Sequence, residues 1–294
     1  MDWDDLKLVL AVCRAGTLSG AAKALGVNYS TVFRRISSIE KDNKLRLFER
    51  HPHGYVMTEA GRTVMHHAEV MEEQANAVSR QLLGTDTRLS GTIRLTAPEG
   101  VTRYALMPLL ESFCKQHPEI ELDLIITSSS LYLERNEADL AVRVGKRPPE
   151  NYIAREVCKF TFGTYGSPEY IEQHRDLAPL EHRWVEHRDD PKPWWASNRD
   201  KVNIVFKSDS MIVNNDAVRR GMGLLSTPHI VGSRVPGLQR LNLPVKEIER
   251  TMWLLMHPDL RGTARVKALM NHLLIGLQKE KDAFIGREST VTSE

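Results

Sequence analysis

Between Asn28 and Ser38 the chain places Tyr29, Ser30, Thr31, Phe33, Arg34, Arg35 and Ser38 around Val32 and Ile36, with Ile39 one residue on. The three apolar residues fall at helical spacing, so they face inward and the others are offered outward. Arg34 and Arg35 can fork onto guanine O6 and N7 or onto phosphate. Ser30 and Thr31 can hydrogen-bond to either target, and Tyr29 and Phe33 can reach a thymine methyl or a sugar. Taken alone, an arginine pair on a helix is an ordinary solvated face. The elements around it decide otherwise.

Leu6, Val9, Leu10 and Cys13 recur at helical spacing up to a stop at Gly16. Thr17 or Ser19 can cap a second helix through Ala21, Ala22 and Leu25. Gly26 makes the turn, and Asn28 or Ser30 caps the third helix. Two short helices across a glycine turn are the helix-turn-helix signature, and the second lays its N-terminal half on base edges in the major groove. Downstream, the β-prone runs Leu45–Arg50 and Tyr55–Thr58 flank His51-Pro52-His53-Gly54 and predict a hairpin, here a wing. Lys41, Lys44, Arg46 and Arg50 extend the basic side. His51 and His53 at the wing tip can approach the minor groove or the backbone. Two histidines on a turn, without Cys or carboxylate at ligand spacing, do not suggest a metal site.

A helix is predicted from about Thr58 to Leu83, with Thr58 as N-cap. Val64, Ala68, Met71, Ala75, Val78 and Leu82 step by four, three, four, three and four, a heptad seam that pairs two copies. Packing on its own domain is the alternative. Polar Glu72, Glu73, Gln74 and Asn76 leave little other apolar surface to bury. Gly84-Thr85-Asp86-Thr87 ends the helix.

The remainder alternates. Strands are expected at Thr92–Thr96, Ile120–Ile126, Asp139–Val144, Phe160–Tyr165, Ile204–Phe206, Met211–Val213, Leu224–Ser226 and Thr251–Met256. Helices are expected around Ala105–Phe113, Pro168–Gln173, Asn215–Gly221 and Thr263–Lys279. This implies α/β layers with largely parallel strands and enough chain for two lobes. Ligands in such folds bind at the carboxyl ends of strands, where helix N-termini favour anions. Four loops qualify: Gly100, Thr102 and Arg103; Ser128 and Ser129; Asn214 and Asn215; Ser226 and Thr227. The alternative is that these hydroxyls only cap helices. A small carboxylate is the first candidate effector, against which Glu99 stands, since a carboxylate in the same place repels an anion.

At 294 residues the chain suits two or three domains, and its net charge of +2 means that DNA contact must come from a local basic face. Cys13, Cys114 and Cys158 have neither CxxC spacing nor a matching His pattern, so neither a disulfide framework nor zinc is expected. A reducing cytoplasm fits, and the acidic start Asp2-Trp3-Asp4-Asp5 is unlike a signal peptide. No apolar run approaches the roughly 18 residues of a membrane span. GxSxG, HExxH, P-loop and GxGxxG patterns in context are absent, so no enzyme, metal or cofactor is expected. Two other readings stay open: a redox sensor using Cys114 or Cys158, and an enzyme fused to a DNA-binding domain. Cys114, beside Phe113 and Leu110 on an apolar helix face, is expected to be buried and inert. Pro193-Trp194-Trp195-Ala196 is expected at a packed or rim position.

The chain resembles the LysR-type transcriptional regulators. The resemblance is carried by Leu8 to Val12, Gly16 to Val27, Arg34-Arg35-Ile36 with Ile39-Glu40, Leu45 to Arg50, and Thr58-Glu59-Ala60-Gly61. Looser landmarks are Asp139 to Gly145, Tyr165 to Tyr170 and Val218 to Pro228. Many members carry Ser-Gln-Pro-Ala-Leu-Ser where this chain has Asn28 to Phe33, so Tyr29 and Phe33 change the groups facing the bases. The resemblance implies a winged helix-turn-helix over 1–58, a dimerising linker helix and hinge over 59–90, and a two-lobed effector domain like a periplasmic binding protein over 91–294. Lobe I would take about 91–162 and 264–286, and lobe II about 163–263. It further implies a homotetramer, a dimer of dimers, on pseudo-palindromic promoter sites in double-stranded DNA. A small molecule between the lobes would shift the assembly, with RNA polymerase as a further partner.

Overall fold

The structure, a computed structural model, describes residues 1–51, 54–84, 86–127, 138–188, 196–245 and 248–287, without the side chains of 76, 77, 79–84 and 196–198. The chain divides into two units, Met1–Leu82 and Leu83–Glu294.

In the first unit, α1 (Trp3–Ala15) starts on a capping box between Asp2 and Asp5 and stops at Gly16, whose φ of 63° is left-handed. Helix α2 (Leu18–Leu25) is capped by the Thr17 hydroxyl, which accepts from the Gly20 N–H, and ends on left-handed Gly26. Helix α3 (Tyr29–Asp42) follows, burying Val32, Ile36 and Ile39. Asn28 stands at its N-cap but makes no side-chain cap bond. Strands β1 (Phe48–His51) and β2 (Gly54–Met57) pair antiparallel, Phe48 opposite Met57 and His51 opposite Gly54. The hairpin is shorter than the two sequence runs because Leu45 and Leu47 turn into the helical core, Leu47 completely. Helix α4 (Glu59–Gly84) starts on Thr58, whose hydroxyl accepts from the Gly61 N–H at 3.0 Å. That hydroxyl also donates to the carbonyl of Arg46 at 2.7 Å.

The residues of the predicted α4 seam divide along its length. Ala68 is fully buried and Val64 packs on the core of the same unit. Further on, Met71 is 44% and Val78 58% exposed. Arg14 of α1 holds Glu72 of α4 with two hydrogen bonds, at 3.1 and 2.6 Å, where the seam leaves its own domain.

The second unit is a mixed α/β domain. In chain order it comprises β3 (Gly91–Ala97), α5 (Glu99–Val101), a π-turn over Thr102–Leu106, α6 (Met107–Gln116), β4 (Ile120–Ile126), β5 (Leu140–Gly145) and β6 (Ile153–Gly166). Then come α7 (Pro168–Gln173), β7 (Arg183–His187), β8 (Asn203–Ser208), α8 (Met211–Arg219), β9 (Leu224–Pro228), α9 (His229–Gly232), β10 (Gln239–Leu241), β11 (Glu249–Met256), α10 (Ala264–Lys279) and α11 (Lys281–Phe284).

The strand order is β4-β3-β5-β11-β6-β9-β7-β8, with β10 also on β6. Strand β6 serves two lobes: up to Thr161 it pairs with β11, and from Phe162 it pairs with β9. The outer strands of each lobe are parallel, β4-β3-β5 in one and β9-β7-β8 in the other. The pairings of β5, β6, β9 and β10 with the central strands β6 and β11 are antiparallel. The expectation of largely parallel strands is therefore corrected. Two parallel lobes joined by long shared strands need antiparallel pairs at the seam, because the chain crosses from lobe to lobe and back.

Helix α10 closes the first lobe. Arg265, nearly buried, donates to Asp86 Oδ2 at 3.0 Å and to the carbonyl of Thr92 at 3.2 Å, which pins the domain's first residues. Gly276 lets α10 approach α6 until a Cβ there would overlap Leu109.

One element is of the wrong type in the sequence reading. Met211–Val213 is the first turn of α8, not a strand, and the helix placed at Asn215–Gly221 starts four residues earlier. A short apolar run cannot be told from a helical turn by periodicity. Strand β7 was not foreseen at all. His53, Ser128, Ser129 and Pro193 to Trp195 lie outside the described residues, as does the side chain of Leu82.

Candidate nucleic-acid interface and effector cleft

Helix α3 presents Asn28, Tyr29, Ser30, Phe33, Arg34 and Ser38 to solvent, with Thr31 half-buried. Tyr29 and Phe33, one turn apart, are stacked with ring centroids 6.4 Å apart and planes within 10°, and each is 49% exposed. The two arginines part company. Arg34 is exposed, whereas Arg35 is half-buried and donates to Asp5 Oδ1 of α1 at 2.9 Å. Burial pushes the Asp5 carboxyl up, but the N–H of Asp2 and the guanidinium of Arg35 together hold it below its ordinary value. Ser38 donates to Asp42 at 3.2 Å.

The wing is fixed to this helix. Glu40 Oε1, on the inner side of α3, accepts from the N–H groups of Leu47 at 2.7 Å and Phe48 at 3.1 Å. Tyr55 N–H donates to the carbonyl of Gly16 at 2.9 Å, and a Cβ on Gly54 would lie 2.5 Å from that oxygen. The hairpin is thus seated on the α1–α2 turn, with Arg50 and His51 exposed on β1. His51 Nε2 lies 3.7 Å from Glu49.

In the second unit a cleft of about 510 Å³ opens at the carboxyl ends of β3, β4, β7 and β9, marked by Pro98, Thr127, His187 and Pro228. This is where the strand-end rule places a ligand. Of the effector residues chosen from sequence, Gly100 lines it. A Cβ on Gly100 would lie 2.9 Å from Val231, so the two lobes approach closely there.

Thr102, Arg103, Asn214, Asn215, Ser226 and Thr227 do not form its wall. Thr102 is buried in the π-turn, and Arg103 is exposed over the Tyr104 ring. Asn214 and Asn215 are not at a helix start. They lie inside α8, both buried, with Asn214 donating to the carbonyl of Ser208 at 3.2 Å. Ser226 and Thr227 are buried in β9, and the Thr227 hydroxyl donates to Met211 Sδ at 3.4 Å.

Residues that sequence reasoning passed over line the cleft instead. Arg143 of β5 donates to the carbonyls of Val142 at 2.8 Å and Thr96 at 3.2 Å and to the Thr96 hydroxyl at 3.0 Å. Burial pulls its pKa down to about 10. A basic residue inside the apolar run Leu140–Val144 was the available signal.

Glu99 is the other. Its Oε2 accepts from the N–H of Met211 at 2.7 Å and of Ile212 at 3.4 Å, and the Ser210 hydroxyl stands 3.3 and 3.4 Å from its two oxygens. A carboxylate of one lobe therefore caps the helix α8 of the other.

The cysteines depart from expectation at one position. Cys114 is exposed, not buried, because it points off the face of α6 that Leu110 and Phe113 bury. Cys13 and Cys158 are half-buried. Burial, with the charge of Glu69, pushes Cys13 up to about 11; burial, with Glu156, pushes Cys158 up to about 12. Among the described residues no helix is long and apolar enough to cross a membrane, and no group of three or more His, Cys, Asp or Glu could hold a metal ion.

A winged helix-turn-helix unit joined by a long helix to a two-lobed α/β domain with an interlobe cleft defines a class of DNA-binding proteins with a ligand-binding regulatory domain. Comparison with known proteins narrows the class. The family profile "Bacterial regulatory helix-turn-helix protein, lysR family" matches residues 3–62, and "LysR substrate binding domain" matches residues 86–278.

The chain is 31% identical over 252 residues to an HTH-type transcriptional regulator of Xanthomonas campestris pv. campestris, covering 78% of this chain and 71% of that one. It is 26% identical over 275 residues to the Mau operon transcriptional activator of Paracoccus denitrificans, covering 92% and 95%. Its fold is similar to that of the full-length Vibrio cholerae virulence activator AphB, with a TM-score of 0.62 at 21% identity over 93% of this chain and 99% of that one. It is also similar to CrgA of Neisseria meningitidis, with a TM-score of 0.57 at 19% identity over 94% and 99%. The chain belongs to the LysR-type transcriptional regulators, with a helix-turn-helix DNA-binding domain and an effector-binding domain.

Proposed function

We propose that this regulator reads promoter DNA through Asn28, Tyr29, Ser30, Thr31, Phe33 and Arg34 on α3, with Arg35, Ser38 and the wing residues Arg50, His51 and His53 on flanking phosphates. The carrying observation is that the outward face of α3 is exposed and basic at Arg34 while Glu40 and Asp5 lock its other faces to the wing and α1. A rigid helix with an open N-terminal half is what major-groove readout needs.

The working form is a homotetramer built from dimers along the exposed half of α4, in the cytoplasm, acting with RNA polymerase at the promoter. Boundaries near residues 58 and 90 separate reader, linker helix and effector domain. A small effector, for which a carboxylate directed at Arg143 is the first candidate, binds in the interlobe cleft and biases the DNA-bound assembly. This is regulation without catalysis.

Genomic footprinting of the full chain tests the reading. The expected result is protection of discrete promoter sites with inverted half-sites, changed by a metabolite tied to the neighbouring genes. Uniform, salt-sensitive coating of DNA with no discrete site would overturn it.

A further inference from the structure

Helix α8 is nine residues long, and its N-terminus opens at the cleft, which Asp209, Ser210 and Met211 line. In a two-lobed binding domain such an end is where a ligand anion would bridge the lobes. Here the place is taken. Glu99, from the turn after β3 in the first lobe, sets its carboxylate on the N–H groups of Met211 and Ile212 and on the Ser210 hydroxyl in the second lobe.

The arrangement is built from both sides. Glu99 opens α5 directly after Pro98, and Gly100 next to it has no side chain, so the turn can press against Val231 and Met211. Ser210, the N-cap, both donates to Glu99 and accepts from Val213 N–H at 3.4 Å. In the first lobe, on β5, the half-buried Arg143 also lines the cleft and carries positive charge there.

We infer that Glu99 is a built-in occupant of the anion position at the start of α8, so that carboxylate effectors are excluded from that end of the cleft. Any carboxylate an effector carries goes to the Arg143 side. The group it presents toward α8 is a hydrogen-bond donor, a hydroxyl or an amine, which Glu99 can accept. Glu99 also joins the lobes without a ligand, beside a second bridge in which Arg234 donates to the carbonyl of Tyr104. This specificity rests on the reading that the cleft is the effector site.

The test is hydrogen–deuterium exchange of the segment 209–214 in the full chain, with acetate as the probe and chloride at equal ionic strength as the control. Glu99→Ala is expected to speed exchange at Met211 and Ile212 about tenfold. Acetate at tens of millimolar is expected to slow it back in that variant and to leave the unsubstituted protein unchanged. Glu99→Gln, whose amide still fills the place, is expected to exchange faster and to gain nothing from acetate. Arg234→Ala breaks the other bridge and is expected to show no acetate effect at residues 211 and 212.

Equal protection by acetate with Glu99 intact, or unchanged exchange in Glu99→Ala, overturns the inference. If Glu99→Ala does not fold, Glu99→Asp, which withdraws the carboxylate by one methylene, supplies the same comparison. Promoter binding is measured in parallel. Acetate rescue with no effector influence on DNA binding would keep the assignment of Glu99 and discard effector control. Effector influence without acetate rescue would do the reverse.

Discussion

Gly61 lies directly against Leu47: a Cβ built on Gly61, in the first turn of α4, would overlap the Leu47 carbonyl oxygen. That oxygen already accepts the N–H of Thr58 at 3.0 Å, so it cannot move away without releasing the cap of α4. Gly→Ala inside a helix ordinarily stabilises, by about 1 kcal/mol. Here the sign reverses. Gly61→Ala is expected to destabilise the DNA-binding unit by about 1–3 kcal/mol, read as a lower denaturant midpoint of its transition. A raised midpoint would show that the contact is slack.

Arg34 and Arg35, adjacent in sequence, should respond differently to substitution. Arg34→Ala is expected to cost about 1–3 kcal/mol in binding one preferred sequence and to relax preference at a single base position. Equal loss on every sequence would reassign Arg34 to phosphate. Arg35→Ala also breaks the pair with Asp5, which is partly exposed, so it should cost about 0.2–1 kcal/mol of fold stability. Binding isotherms on a panel of single-base variants, with a melt of each protein, separate the two effects.

Lysine at both Met71 and Val78 is expected to break the oligomer without unfolding the reader, because both side chains are exposed in the monomer. Light scattering should report at most half the mass of the unsubstituted assembly, with the melt of the first unit unchanged. Lysine at Ala68, fully buried, should instead unfold that unit. An undiminished mass in the double variant removes α4 as the pairing surface.

Thiol chemistry should follow burial. At neutral pH a disulfide reagent is expected to titrate Cys114 quickly, and Cys13 and Cys158 only on unfolding, since their folded pKa values of about 11 and about 12 keep them protonated. An unfolded thiol titrates near ~8.5. The folded state therefore holds these two protons more tightly than the unfolded state. The stability they contribute is complete below that pH and is lost as pH rises toward 11 and 12. Denaturation midpoints should fall with pH above roughly 9, and less so in Cys158→Ala. Three fast equivalents at neutral pH would contradict the burial. Peroxide treatment should leave promoter binding unchanged; a change that Cys114→Ser abolishes would restore the redox reading.

What the sequence determined by itself is local. The cap at Thr17 or Ser19, the Gly16 and Gly26 stops and the inward positions Val32, Ile36 and Ile39 depend on neighbours within about one or two helical turns, so spacing alone locates the recognition helix. The strand-end rule reached the cleft at Gly100, after β3, but not at β7 or at the true start of α8, which the sequence order did not reveal.

Tertiary structure decided which side chains meet and which stay exposed. Asp5 pairs with Arg35 across thirty residues of chain while Arg34 stays exposed, and the core of the first unit takes up Val64 and Ala68 while Met71 and Val78 of the predicted seam stay exposed. Glu99, 112 residues before Met211, occupies the helix terminus that the sequence would have left for an anion. The physical reason is common to all three. A periodic pattern says which face of an element is apolar, but only packing against a distant segment says which polar group meets which.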